Sequence, residues 1–205
     1  MTDMPDMQAS KHRSGPVRSS AAHEAVLRAA GELVAKRGYL KVTMQAIADQ
    51  AGVGKQTVYR WWPSKAAVFM ELYVSLSEQH VNPSDTGSFS GDLKSLWGQL
   101  LEMFQTTPAG QIFAGLIADA QSDSRAAQSF RQDFLVDRRD SMRAIVDRAV
   151  SRGEVARELD TETVIDLIAG PVFYRLLVEH EPLSQSFLDE TINVVAHGIS
   201  RSTDP

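Results

Sequence analysis

The sequence predicts an all-α protein of about nine helices, on three observations. Apolar residues recur at three- and four-residue spacing along most of the chain, the period of a helix buried on one side. Helix stops punctuate that pattern, with Gly38, Gly52, Pro63, Pro108 and Gly153 each following a periodic segment. No alternating run is long enough for a strand, and no segment repeats at a fixed period.

Residues 1–19 are polar, contain Pro5, Gly15 and Pro16, and read as a flexible basic arm. Its Arg13 and Arg18 can follow a phosphate backbone or enter a minor groove, the plainer alternative being a solvated tail. Residues 20–37 form an amphipathic helix capped by Ser20, with Val26, Ala30, Leu33 and Val34 on its buried stripe. Lys36 and Arg37 suit the negative end of its dipole, and Gly38 stops it.

Residues 43–65, TMQAIADQAGVGKQTVYRWWPSK, then give two short helices joined by a tight turn. Thr43 is a good N-cap, with Ile47, Ala48 and Ala51 periodic behind it. Gly52 can take the left-handed conformation that ends the helix, and Val53 can tuck into the core. The second helix, about residues 55–61, places Lys55, Gln56, Tyr59 and Arg60 on one side and Val58 on the other. On the same wheel Trp61, rather than Trp62, is the buried aromatic. Pro63 stops this helix, and Ser64 caps the next, residues 64–79, with Lys65 in its first turn. This is the anatomy of a helix-turn-helix, one helix to brace and one to lay donors into a groove. A surface helical hairpin with solvated charges fits the pattern alone equally well.

Residues 80–91 read as a loop. Beyond it, Leu93, Leu96, Trp97, Leu100, Leu101 and Phe104 make one helical stripe, and Ile112, Phe113, Leu116 and Ile117 a shorter one. A long helix over residues 124–152 carries Phe130, Phe134 and Met142, and two more helices cover residues 160–179 and 184–200. Gly170-Pro171 predicts a kink or break near residues 168–170, which bends the helix around its core or makes room for a ligand.

Composition narrows the function. Hydrophobic residues make up 43%, no apolar run approaches the ~20 residues of a membrane span, and the first residues lack a signal-peptide core. The absence of cysteine is consistent with a cytoplasmic protein and removes disulfides and thiolate metal sites. The net charge of −5 conceals an asymmetry: residues 1–65 carry +5 and the remainder −10, so phosphate attraction is concentrated at one end. GVGK at residues 52–55 lacks the earlier glycine, the following Ser or Thr and the strand of a phosphate loop. The five histidines are scattered, so no metal site, cofactor or catalytic group is expected.

The stretch from VLRAAGELVAKRGYLKV to WWPSKAAVFMEL resembles the DNA-binding domain of the tetracycline-repressor (TetR) family of transcriptional regulators. Gly38, Thr43, Ile47-Ala48, Ala51-Gly52-Val53, Thr57, Tyr59 and Lys65 stand at the family's spacing, and the match covers about residues 24–72. The resemblance implies phosphate contacts from Thr43, Tyr59 and Lys65, and base or nearby backbone contacts from Gln45, Lys55, Gln56, Thr57 and Arg60. Gly54 replaces the usual serine cap, Trp61 stands where His or Tyr is usual, and Trp62 takes the position of the buried aromatic. This leaves Trp61 a backbone contact through its indole N–H, and the buried place to Trp62.

A homodimeric repressor follows, released from a palindromic operator by an effector; two units related by a two-fold axis are needed for useful specificity. The expected organisation is the arm, a DNA-binding domain over residues 20–66, and a ligand-binding and dimerisation domain over residues 67–205. The resemblance implies a four-helix dimer interface from the last two helices. Their apolar faces are Val164, Leu167, Ile168, Val172 and Leu176, and Phe187, Leu188, Ile192 and Val195, part of which must also be ordinary core. Trp97, Leu100, Leu101, Phe104 and Phe113, with Leu116, Phe134, Met142 and Tyr174, can line a cavity for an apolar or aromatic effector. The alternatives are an all-α interaction module whose basic end binds an acidic partner, and a small-molecule-processing helical enzyme.

Overall fold

The structure, a computed structural model, describes residues 20–199. The basic arm expected over residues 1–19 lies outside the described residues. Among the described residues the chain forms nine helices and no strand. They are α1 (Ser20–Arg37), α2 (Met44–Ala51), α3 (Lys55–Trp61), α4 (Lys65–His80), α5 (Phe89–Thr106), α6 (Ala109–Ser122), α7, α8 (Thr161–Val178) and α9 (Gln185–Ile199). Helix α7 is continuous but uneven, running as Ser124–Ser129, a π-helical turn Phe130–Leu135, and Val136–Arg152.

The local signals act through identifiable groups. Thr43 and Ser64 accept hydrogen bonds from the backbone N–H of Ala46 and Ala67, capping α2 and α4. Gly52 closes α2 at φ 65°, and Val53 N–H donates back to Ala48 O at 3.0 Å, which satisfies a carbonyl left open at the helix end. Helix α5 takes in the last three residues of the segment read as a loop, because Ser88 caps it and Phe89 is buried.

Two hydrophobic cores organise the helices. One joins α1–α4 to α6 and the π turn, through Val34, Ile47, Val58, Phe69, Leu116 and Phe134. The other packs α5 against the rest of α7, α8 and α9 around Leu93, Ile145, Ile165, Ile168 and Leu188. The DNA-binding unit expected at residues 20–66 therefore shares its core with α4 and α6.

Of the kink or break expected at Gly170-Pro171, the break does not occur. Pro171 lies inside α8, yet the helix continues from Thr161 to Val178. Proline removes one backbone donor, and the helix runs on through that gap. The apolar residues assigned to a dimer face divide in two. Val164, Ile168, Val172, Leu188 and Ile192 are buried in the protomer's own core, while Leu176, Phe187 and Val195 are partly buried and Leu167 is exposed. The exposed apolar stripe of α8 is Leu167, Tyr174 and Val178, with Val194 exposed on α9. Helix α8 is apolar on both faces, and periodicity alone does not say which face meets its own core.

Candidate nucleic-acid interface

Helix α3 is short and held by little of its own sequence. Val58 is its one fully buried side chain, and Trp62, immediately after it, is 2% exposed. The Trp62 indole N–H donates to Glu71 at 2.6 Å, and its ring stacks on His23 at 4.9 Å. Trp61 is only partly buried, so the helical wheel chose the wrong tryptophan: α3 ends at Trp61, and the chain turns inward one residue later.

With Val58 fixed beneath, Lys55, Gln56, Tyr59 and Arg60 are all exposed in one row, and Thr57 is partly covered. The Lys55 ammonium lies 5.8 Å from the Tyr59 ring centre. Gln45, exposed on α2, donates its amide to Asp49 at 2.6 Å. Thr43 is exposed too, its hydroxyl oxygen engaged in the α2 cap and its hydrogen still available to a phosphate. Lys65 is different. Its ammonium donates to the Tyr39 carbonyl at 3.3 Å and stands 4.1 Å above the Tyr39 ring, leaving two N–H donors for outside partners.

Tyr39 itself joins the DNA-binding unit to the body. It opens a 3-10 turn after Gly38, is 4% exposed, and donates its hydroxyl to Asp119 of α6 at 2.5 Å. Burial first, then the Asp119 hydrogen bond and charge, push the phenol well above its usual pKa and keep it protonated. Its ring lies against Gly115 of α6 so closely that a Cβ there would overlap three ring atoms.

A cavity of about 150 Å³ lies between α4, α5, α6, α7 and α8. Of the residues expected to line it, Trp97, Leu100, Phe104, Phe113 and Met142 do so. Leu101, Leu116 and Phe134 are buried outside its lining, and Tyr174 is 58% exposed, its ring facing His180. Tyr174 fails because the neighbouring Phe173 takes the inward face of α8. Tyr73 and Arg138 line the cavity as well. Sequence reasoning missed them because a tyrosine on the connecting helix and one arginine among several on α7 carry no periodic signal. A larger open cleft of about 840 Å³ separates the N-terminal end of α4 from α6 and α7, with Glu71, Asp119, Asp123 and Asp133 on its walls.

The comparisons with known proteins agree along nearly the whole chain. Residues 26–72 match the family model for bacterial regulatory proteins of the tetR family, and residues 83–195 match that for the tetracyclin repressor-like C-terminal domain. The HTH-type transcriptional regulator YdeS of Bacillus subtilis (strain 168) is 32% identical over 191 residues, covering 93% of this chain and 96% of its own. The DNA-binding transcriptional repressor TetR of Mycobacteroides abscessus is 26% identical over 183 residues, covering 88% and 93%. Among solved structures, the TetR family regulator SCO0332 superposes with a TM-score of 0.73 at 30% identity, covering 88% of this chain and 99% of its own. FadR of Bacillus subtilis, solved with stearoyl-CoA, shares the fold at a TM-score of 0.67 and 17% identity, covering 86% and 99%. With a helix-turn-helix at one end and a helical body matching at the other, the chain belongs to the TetR family and is a DNA-binding transcriptional regulator.

Proposed function

We propose that the protein is a cytoplasmic, homodimeric repressor that holds a palindromic operator through α2 and α3 and leaves it when a small effector fills the cavity. The observation that carries this reading is the exposed row Lys55, Gln56, Tyr59 and Arg60 opposite buried Val58, which offers donors and an aromatic to a groove. Among the described residues no helix is long and apolar enough to cross a membrane. No catalytic step is part of this reading.

The dimer is supported by the stripe Leu167, Tyr174 and Val178 on α8 and by Val194 on α9, with Gly170 and Gly198 open enough for close approach of a symmetry mate. Two recognition helices must then sit about 34–36 Å apart to enter successive major grooves. A ligand favouring another spacing weakens operator binding by its differential affinity for the two states. The cavity of 150 Å³ suits a molecule about the size of a single ring, far smaller than the acyl-CoA seen in FadR.

Binding-site selection on the full chain tests the DNA half. The wild type should return a palindrome, and Gln56→Ala should relax preference at symmetry-related positions in both half-sites, one bidentate contact being worth roughly 1–3 kcal/mol. Selection that yields no palindrome overturns the reading; the same motif at unchanged stringency removes Gln56 from base readout.

A second measurement concerns Lys65. Lys65→Ala should weaken binding to all sequences about alike and lower the slope of log affinity against log salt by about one for each phosphate the lysine neutralises. A changed sequence preference with an unchanged slope would confine Lys65 to its contact with Tyr39.

A further inference from the structure

The cavity is mostly apolar, with the hydroxyl-bearing Tyr73, Ser77 and Ser141 on its lining, and two of its residues carry buried donors that have no acceptor. Trp97 is 3% exposed, and its indole Nε1 is buried without a hydrogen-bond partner. The Nε of Arg138 is buried and unpartnered too. These are the two such side-chain atoms among the described residues, and both residues line this one cavity. A buried donor without an acceptor is unfavourable, more so on a charged group, so two on residues that line one space call for an acceptor there.

Arg138 is held in place for such a partner. Its Nη1 donates to the Phe134 carbonyl at 2.6 Å, inside the π turn of α7. Its guanidinium lies 3.9 Å from the Phe134 ring centre and 5.1 Å from that of Tyr73. No carboxylate among the described residues forms an ion pair with it; Asp137, its chain neighbour, acts only at longer range. Burial lowers its pKa from the ordinary value, but a guanidinium stays protonated in proteins, so the positive charge persists. By contrast Arg139, Arg143, Arg148 and Arg152 on the same helix are all paired with acids.

We infer that the cavity takes a small carboxylate with an aromatic or short aliphatic body, its oxygens accepting from Arg138 Nε and Trp97 Nε1. Phe113, Leu100 and Met142 enclose the apolar part. This rests on the effector reading and sharpens it: charge on the ligand, as well as apolar area, decides what fits. The π turn contributes by swinging the backbone that carries Arg138 into a register a regular helix would not give.

Benzoate and nitrobenzene, nearly identical in shape and different in charge, are suitable probes. Titrated calorimetrically into the full-length protein, benzoate should bind at least about tenfold more tightly than nitrobenzene. Arg138→Gln should abolish that preference by weakening benzoate alone. Trp97→Phe, which keeps an aromatic ring and removes the donor, should reduce the preference without abolishing it, and serves if Arg138→Gln does not fold. Equal affinity of the two probes, no binding of either at millimolar concentration, or a preference unchanged in the variants would overturn the inference. Operator affinity measured with each probe separates the two levels. Benzoate that binds without altering operator affinity supports the carboxylate site and counts against the effector reading; release by nitrobenzene alone does the reverse.

Discussion

Asp92→Ala should lower the stability of this protein by about 3 kcal/mol, among the largest losses expected from one substitution. Asp92 is fully buried at the start of α5. It accepts from the Thr86 N–H at 2.7 Å, from the Thr86 hydroxyl at 2.8 Å, and from Arg148 and Arg152 of α7 at 3.2 and 3.3 Å. Removing it takes away the acceptor of the Thr86 N–H and the buried partner of both arginines, which keep only Asp85 and, for Arg152, Glu154. Both arginines are partly exposed, so water recovers some of the loss, which puts it at the low end for a broken buried pair. Asp92→Asn keeps an acceptor for Thr86 and should cost less. Burial alone would raise the Asp92 pKa, but the Thr86 and arginine hydrogen bonds outweigh it and hold the carboxyl below its ordinary 3.8. The contribution is therefore complete above that value and disappears as pH falls through it toward the folded value. Denaturant unfolding at fixed protomer concentration should show the wild type and Asp92→Asn converging in acid. A difference under about 0.5 kcal/mol for Asp92→Ala at neutral pH would remove this network from the stability of the fold.

Asp92 also shows where the sequence was silent. The helices and their ends were legible because each depends on neighbours within one or two turns: Thr43, Gly52 and Ser64 act on residues three or four positions away. The row on α3 was legible for the same reason. The Asp92 network joins residues 56 and 60 positions apart, and nothing local distinguishes Asp92 from a solvated acid in a first turn. The cavity was half legible. Apolar periodicity found Trp97, Phe104 and Phe113, but not which apolar residues face the space rather than the core, and it passed over Arg138, whose role depends on a π turn that shifts the register. Periodicity likewise marked α8 as apolar without dividing its inner face, at Ile168, from its outer one, at Leu167. The Trp61 and Trp62 exchange has the same origin, since a helical wheel is valid only as far as the helix runs.

Tyr39 and Gly115 bear on how a filled cavity reaches the operator. Phe113 of α6 lines the cavity, and Gly115, two residues later on the other side of that helix, receives the Tyr39 ring. In the proposed switch, a shift of α6 would therefore act on the turn that precedes α2. Tyr73 of α4 offers a parallel route, touching both Phe113 and Phe134. The contact between Tyr39 and α6 is the more easily tested, because it depends on the absence of one methyl group.

Gly115→Ala should destabilise the protein by about 1–3 kcal/mol and weaken operator binding in the absence of any effector. At an ordinary helix position the same change gains up to about 1 kcal/mol in propensity, so a net loss is diagnostic in sign as well as size. The added Cβ would overlap the Tyr39 ring. That ring has nowhere to go: Asp119 holds its hydroxyl, Phe69 packs 4.9 Å away, and Lys65 lies over its face. The chain must instead shift α6 against the 3-10 turn, and the helix-turn-helix moves with that turn. Tyr39→Leu alone should also cost stability, because it removes the hydrogen bond to Asp119 and the packing of the ring. In the double variant the smaller side chain leaves room for the methyl, so the combined loss should fall short of the sum by more than about 1 kcal/mol. Unfolding and operator titration of the four proteins measure both couplings. Losses that add to within about 0.5 kcal/mol would mean that Gly115 and Tyr39 act independently, and the route from the cavity to the DNA would then have to run through α4 alone.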